Sequence, residues 1–208
     1  MIGASAGLRW ISKSPPDLDE VRQALENIVK QGQRTTDILE NIRAMFKKDS
    51  QQAAPVNVND LIGDVLELAQ SEVRKQNVSV KTELTDRLPQ VIGNRIQLQQ
   101  VILNLMINAL EAMTTTTEHK RTLCVKSAIQ APDTVLITVE DSGIGIDPEN
   151  IERMFDALFT TKSNGMGMGL SICRSIIEAH NGRLWASADI HHGSVFHFAL
   201  PIAITSAE

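Results

Sequence analysis

The amino-acid sequence predicts an α+β fold, a two-layer α/β sandwich with helices on one face of a mixed sheet, preceded by a helical hairpin. Three observations predict it: a heptad repeat between residues 18 and 48, strand and helix patterns that alternate after Pro55, and an apolar helix near residues 95–113. With 208 residues, of which 42% are hydrophobic, the chain is long enough for one ordinary core and a smaller appended element. We therefore predict a partial hairpin at residues 1–50 and a larger domain at residues 55–204.

The hairpin is predicted from a break followed by a long helical repeat. Two prolines within residues 13–17 end any helix that begins near Ile2, because proline fixes φ and disfavours helical backbone at the residue before it. From Leu18 to Lys48 no proline occurs, and small or apolar residues recur at spacings of three and four: Val21, Leu25, Ile28, Gly32, Thr35, Leu39, Ile42 and Phe46. This heptad seam indicates a dimerisation hairpin. The alternative is an amphipathic helix that packs on the core of a single domain.

The larger domain begins after Pro55 with mixed helix and strand patterns. Asn59 is predicted to cap a helix that ends near Lys75, and Asn94 is predicted to cap a helix over 95–113. A further helix is predicted over 171–179. Alternating or short apolar runs predict strands at residues 78–84, 90–92, 122–129, 134–140, 183–188 and 194–200.

Composition excludes several classes of protein. The net charge of -5 argues against a nucleic-acid-binding surface, which needs clustered Lys and Arg. Cys124 and Cys173 lie in apolar runs without metal-ligand spacing, which indicates small buried side chains in a reducing compartment. No run approaches the roughly 20 apolar residues that a membrane helix needs. We expect a cytoplasmic chain without a membrane segment, although a longer parent could be tethered to the inner membrane.

The predicted helix over 95–113 carries a polar stripe on an otherwise apolar surface. At about 100° per residue, five polar side chains fall within roughly 80° of arc. They are Gln97, Gln100, Asn104, Asn108 and Glu111. Each buried carboxamide without a partner costs about 1–3 kcal/mol, so something polar is expected to lie against this stripe. The alternative is that the stripe faces solvent or caps a neighbouring loop.

Two glycine-rich segments follow. Asp141 ends a strand and precedes Gly143 and Gly145, which permit tight turns and close approach to a flat ligand, although such a segment can also be an ordinary turn. Gly165, Gly167 and Gly169 precede a helix whose first N–H groups suit phosphate, which predicts a lid. Neither a P-loop nor a dinucleotide fingerprint is present.

Taken in order, these segments resemble the N, G1, F, G2 and G3 boxes of sensor histidine kinases of two-component systems. The matching residues are Asn104-Leu-Met-Ile-Asn108-Ala, Asp141-Ser-Gly-Ile-Gly-Ile146, Phe155-x-x-x-Phe159-Thr-Thr-Lys162, Gly165-Met-Gly-Met-Gly169-Leu170 and Gly193-Ser194. The resemblance implies the histidine kinase and gyrase type of ATP-binding sandwich, preceded by a dimerisation hairpin. Glu111 stands where many members of the family have a basic residue.

The resemblance also implies a role for each site residue. Asn108 would bind Mg²⁺, assisted by Asn104, and Asp141 would recognise the adenine amine. The remaining nucleotide-binding residues would be Gly143, Gly145, Ile146, Lys162, Gly165, Gly167, Gly169, Leu170 and Ser194. Catalysis would rest on Asn104, Asn108 and Lys162, while the alternative for Lys162 is a solvated loop lysine. The implied partners are ATP or ADP, a second copy of the chain and a cognate response regulator.

In gyrase-type ATPases a glutamate that activates water precedes the metal-binding asparagine by four residues. Here Asn104 stands at that position and cannot act as a general base, which favours phosphoryl transfer over hydrolysis. Two other functions remain open: an anti-sigma-type serine kinase, against which the heptad helix argues, and a nucleotide-sensing scaffold without catalysis.

No histidine lies in the predicted hairpin. The five histidines are His119, His180, His191, His192 and His197. The resemblance places the phosphoacceptor on the first hairpin helix, so we expect it to precede Met1 and this chain not to autophosphorylate. His180 is followed by Asn181 and Gly182 at a helix end, which indicates a structural cap partner.

Overall fold

A computed structural model describes residues 8–15, 17–28, 53–114, 120–130, 133–161, 167–188 and 193–203. The chain forms two compact units, Met1–Asp49 and Ser50–Glu208. Among the helices that the structure describes, none is both long and apolar enough to span a membrane.

The first unit contains helical residues at 8–11 and 18–28, separated by bends over residues 12–15. The Asp17 N–H donates to the Trp10 carbonyl at 3.3 Å across this break, and the Lys13 ammonium lies 3.6 Å from the Trp10 ring centroid. Leu25 is 55% exposed, whereas Ala24 beside it is buried. The predicted heptad seam beyond residue 28 lies outside the described residues.

In its described residues, the second unit is a sandwich of three helices and a five-stranded sheet, with two single 3₁₀ turns at Pro148–Asn150 and Arg153–Phe155. We number its strands β1 Ala54–Val56, β2 Ser79–Leu84, β3 Val91–Gly93, β4 Thr122–Gln130, β5 Thr134–Asp141, β6 Arg183–Ala188 and β7 Ser194–Pro201. Its helices are α1 Val58–Lys75, α2 Arg95–Ala112 and α3 Gly169–Ala179.

The sheet is mixed and has the strand order β2-β4-β5-β7-β6. β2 and β4 are parallel, and the other three neighbouring pairs are antiparallel. Side chains alternate along β5, so that Val135, Ile137 and Val139 are fully buried on the face that α2 covers. The predicted mixed sheet with helices on one face is therefore confirmed.

A separate two-stranded ribbon lies outside the main sheet. β1 pairs with β3, and Val56 lies opposite Val91, both of them buried. The sequence interpretation missed β1 and placed β3 one residue early, at 90–92, because a three-residue strand with a proline gives no alternating pattern. This ribbon joins the start of α1 to the start of α2.

The N-terminal cap of α1 corrects one prediction. Asn57, rather than Asn59, is the cap, and its side-chain oxygen accepts from the Asn59 N–H at 3.0 Å. The Asn59 side chain instead donates to the Thr85 carbonyl at 3.0 Å and accepts from the Ser127 hydroxyl at 2.7 Å. The helix begins early because Val58 packs in the core, which turns Asn59 towards buried polar groups on β4 and after β2.

The predicted cap of α2 is confirmed, and a histidine reinforces it. The Asn94 side chain accepts from the N–H groups of Ile96 and Gln97. The Asn94 N–H itself donates to His180 Nε2 at 3.0 Å, while His180 Nδ1 lies 2.7 Å from the Ile176 carbonyl. A neutral imidazole with its proton on Nδ1 satisfies both contacts. His180, the C-terminal cap of α3, thereby fastens that helix to the start of α2.

Replacement of His180 should therefore cost more than the loss of a surface side chain. In His180→Ala the Asn94 N–H loses its partner and the Ile176 carbonyl keeps only the backbone N–H of residue 180, which should lower the free energy of unfolding by about 1–3 kcal/mol. Glu178→Ala is the matched control, because it removes only an exposed ion pair with Arg174. Urea unfolding followed by Trp185 fluorescence, with Trp10 replaced by Phe throughout, measures both variants. Equal stability of the two variants would contradict this role.

Candidate functional site

Asp141 lies at the end of β5, in the row of side chains that faces the helices. Its register partners are Leu123 on β4 and Ser194 on β7, so the predicted residues Asp141 and Ser194 lie side by side. The Asp141 side chain is almost fully buried, with 5% exposure, and Ser194 is buried as well. The Gly143 N–H donates to Asp141 Oδ1 at 2.7 Å, which orients the carboxylate. A buried, oriented acceptor is a suitable partner for an N–H donor of a ligand.

The loop after β5 is packed against the end of α2. A Cβ at Gly143 would lie 2.7 Å from the Ala112 carbonyl oxygen and 2.8 Å from Asp141 Oδ1. The Ile144 N–H also donates to the Ala112 carbonyl at 3.4 Å. Gly145 has φ near +79°, a conformation that side chains disfavour. The backbone therefore requires glycine at both predicted positions.

Two further contacts hold the same loop from outside. The Ser142 hydroxyl accepts from the Thr122 N–H at 2.8 Å and donates to the Lys120 carbonyl at 3.2 Å. On the other side, a Cβ at Gly193 would overlap the Asp141 carbonyl oxygen, so the turn before β7 packs directly on the end of β5. The Asp141 carboxylate thus lies within a rigid frame of neighbouring backbone.

The polar stripe of α2 lies at the boundary of the core. Gln97, Gln100, Asn104 and Asn108 are half-buried, and Glu111 is exposed. Seven apolar side chains of the same helix are buried: Leu98, Val101, Ile102, Leu105, Met106, Ala109 and Leu110. The carboxamides therefore retain access to solvent or to a ligand. Among the described residues, no group of three or more His, Cys, Asp or Glu side chains could hold a metal ion.

Asn104 contacts the neighbouring helix. Its Nδ2 lies 3.7 Å from the Sγ atom of Cys173, which is fully buried on α3. Burial raises the pKa of the Cys173 thiol to about 12, so the thiol stays protonated at neutral pH. Burial also raises the pKa of the Cys124 thiol on β4. The prediction that both cysteines are small buried side chains is confirmed, but the contact between Cys173 and Asn104 was missed, since spacing alone does not identify helix partners.

The segment before α3 is held by two aromatic side chains. Phe155 is buried with the Arg174 guanidinium 5.4 Å from its ring centroid, and the Arg153 guanidinium lies 5.0 Å from the Phe159 ring centroid. The Leu158 N–H donates to the Gly167 carbonyl at 3.0 Å. This bond connects the residues after the second 3₁₀ turn with Gly167 of the glycine-rich segment.

The remaining predicted site residues are only partly described. Gly169 is the first residue of α3, and Ile146 and Leu170 are half-buried and pack against the core. Lys162 and Gly165 lie outside the described residues. The described site residues thus form two groups, one around Asp141 at the end of the sheet and one on the facing surfaces of α2 and α3.

A comparison of two glycines tests the packing of the loop. Gly143→Ala should lower the free energy of unfolding by about 1–3 kcal/mol, because its Cβ meets backbone that has no room to move. Gly63→Ala in α1, where a Cβ meets nothing within 4 Å, should instead raise stability by about 0.5–1 kcal/mol. Thermal and urea unfolding of both variants measure the difference. A Gly143→Ala protein as stable as the wild type would contradict the observed packing.

Comparison with known proteins agrees with this geometry. Residues 93–204 match the family described as histidine kinase-, DNA gyrase B- and HSP90-like ATPase. The chain is 34% identical over 204 residues to the sensor histidine kinase TmoS of Ectopseudomonas mendocina, covering 98% of this chain and 21% of TmoS. The chain spans 21% of TmoS and 43% of the sensory kinase SasA of Synechocystis, which is less than half of each relative.

Solved structures show the same likeness. The nucleotide-free catalytic domain of histidine kinase ThkA is 35% identical with a TM-score of 0.65, and the match covers 73% of this chain and 97% of that domain. A structure of ThkA in complex with the response regulator TrrA is 26% identical with a TM-score of 0.74, and the match covers 99% of this chain and 58% of ThkA. With its ATP-binding fold, the chain belongs to the histidine kinase-, DNA gyrase B- and HSP90-like ATPase family and, within it, to the sensor histidine kinases.

Proposed function

We propose that this chain is the ATP-binding catalytic core of a two-component sensor histidine kinase. It would bind ATP with Mg²⁺ and transfer the γ-phosphate to a histidine of a dimerisation domain, for relay to a response regulator. The observation that carries the proposal is the attachment of the Asp141 loop to the C-terminal end of α2, through the Ile144 N–H and the Ala112 carbonyl. This attachment sets the distance between the buried Asp141 carboxylate and the carboxamide stripe.

The Asp141 carboxylate would accept a hydrogen bond from the exocyclic amine of adenine. Burial excludes water from this contact, and the Gly143 N–H keeps the carboxylate in one orientation. The glycines of the loop allow the ring to approach the backbone closely, and half-buried Ile146 offers an apolar surface for it. Ser194, beside Asp141 in the sheet, would complete this group.

The carboxamides of α2 would lie at the phosphates. Magnesium prefers oxygen ligands and takes only one or two of them from the protein when phosphates and water supply the rest, which fits the half-buried Asn108 and its neighbour Asn104. When bound, Mg²⁺ would neutralise charge on the phosphate oxygens. Lys162, Gly165, Gly167, Gly169 and Leu170 would also hold the phosphates, a role that rests on the family motif.

Phosphoryl transfer would depend mainly on position and charge. The amide of Asn104 has no basic atom that could activate water, so the site favours an acceptor other than water. Bringing the acceptor nitrogen in line with the γ-phosphate is the main task of such a site. Of the five histidines, His180 and His197 are engaged within the fold, by Asn94 and Thr138 respectively, and His119, His191 and His192 lie outside the described residues. The family motif indicates that the acceptor histidine would come from a separate phosphoacceptor segment.

Two partners follow from the proposal. The heptad seam over residues 18–48 would pair with a second copy of the chain to form a homodimer. The response regulator is inferred from the complex of ThkA with TrrA. The second copy and the response regulator would both bind the intact kinase, and this chain corresponds to one part of such a kinase.

Transfer from γ-labelled ATP to an added hairpin domain that bears its histidine tests the proposal. The wild-type chain should label the added domain, and Asn108→Ala should lower the rate by about 100-fold or more, because an oxygen ligand at the phosphates is lost. Gln99→Ala is the matched control, since this amide of α2 donates to Asp64 at 2.8 Å instead of lying in the stripe.

Two outcomes would contradict the proposal, and a third would contradict the expectation about the histidines of this chain. Binding of ATP without any transfer would favour a nucleotide-sensing scaffold, and acid-stable label on serine would favour a serine kinase. Acid-labile, base-stable label on this chain alone would overturn the expectation that its own histidines are not acceptors.

A further inference from the structure

Asn104 is held by a side chain that the nucleotide motifs do not include. Its Nδ2 lies 3.7 Å from Cys173 Sγ, within hydrogen-bond range for sulfur. Cys173 is fully buried in the interface between α2 and α3, two helices that pack on each other. The contact therefore joins a predicted catalytic side chain to the first turns of the helix that follows the glycine-rich segment.

The contact has a geometric consequence for the carboxamide. The terminal torsion of an asparagine side chain is broad, so a half-buried Asn104 has little intrinsic preference for one orientation. A carboxamide is planar, and its oxygen and nitrogen branch in different directions. When Nδ2 is bonded to a fixed sulfur atom, the direction of Oδ1 is fixed too. The sulfur thereby determines which atom of Asn104 a ligand meets.

We propose that Cys173 is a positioning residue, which orients the Asn104 carboxamide so that Oδ1 is presented to the phosphates and the metal. This inference rests on the proposed function of Asn104. The thiol suits the task because its sulfur is fully buried in the helix interface, within reach of Nδ2, and can accept from it. A thiol is a weak acceptor, so the hydrogen bond itself contributes little to stability, whereas the buried sulfur also contributes packing.

Variants at both cysteines separate positioning from packing. Cys173→Ala removes the sulfur, whereas Cys173→Ser keeps a group that can accept from Nδ2. Cys124→Ala is the matched control, because Cys124 is also buried but lies on the sheet face opposite to α2, beside Glu83 and Glu140. The readouts are kcat and the KM for ATP of transfer to an added hairpin domain, and the affinity for ADP.

Cys173→Ala should lower kcat about fivefold, the effect of one modest hydrogen bond, with ADP affinity changed less than about twofold. Cys173→Ser should recover most of kcat, although Cys173→Ala and Cys173→Ser both lose packing. Cys124→Ala should have the kcat of the wild type. The double variant Asn104→Ala/Cys173→Ala should be no slower than Asn104→Ala, because the cysteine acts through the asparagine. Losses of kcat that multiply in the double variant, or equal losses in the Ala and Ser variants, would overturn the inference.

An NMR measurement keeps the inference testable if the chain transfers no phosphate. The side-chain ¹H and ¹⁵N resonances of Asn104 should shift in Cys173→Ala and remain unchanged in Cys124→Ala. Addition of Mg²⁺ and a non-hydrolysable ATP analogue should then move the Asn104 resonances less in Cys173→Ala than in the wild type. Identical Asn104 resonances in Cys173→Ala and the wild type would overturn the positioning role, whereas absent transfer with shifted resonances would contradict only the proposed kinase function.

Discussion

The burial of the Asp141 carboxylate is the constraint on which the site depends. Burying a carboxylate is unfavourable unless hydrogen bonds compensate it, and the N–H of Gly143 supplies one such bond two residues further along the chain. That bond requires a tight turn, and the turn brings the loop onto the Ala112 carbonyl at the end of α2. One polar group at the end of a strand therefore determines where a whole loop lies relative to a helix.

Helix α2 is also held at its N-terminus. The Asn94 N–H, at the cap of α2, donates to His180 at the end of α3, while the ribbon of β1 and β3 precedes the cap. α2 is thus attached to the sheet loop at its C-terminus and to α3 at its N-terminus. The carboxamides between these two attachments lie on a rigid element, which is the arrangement that a site for in-line phosphoryl transfer needs.

Much of this fold could be predicted from the sequence, because its strongest signals are local. The Asn94 cap, the buried faces of β5 and α2, and the glycines after Asp141 follow from periodicity and from backbone rules that act within a few residues. The cap was misplaced at Asn59 because the contacts of Asn59 with Thr85 and Ser127 are distant in sequence. Strand β1 was missed for the same reason, since its partner is β3. The contact of Asn104 with Cys173 is of the same kind, since helical spacing predicts that Cys173 is buried but not which side chain it meets.

The central claim is that the Asp141 loop and the α2 carboxamides form one nucleotide site. A crystal structure with a non-hydrolysable ATP analogue and Mg²⁺ tests it most directly. The account predicts the adenine amine within hydrogen-bond distance of the Asp141 carboxylate, with the metal bound to the Asn108 side-chain oxygen and to the phosphates. A nucleotide bound elsewhere, or an adenine at Asp141 with phosphates directed away from α2, would contradict it.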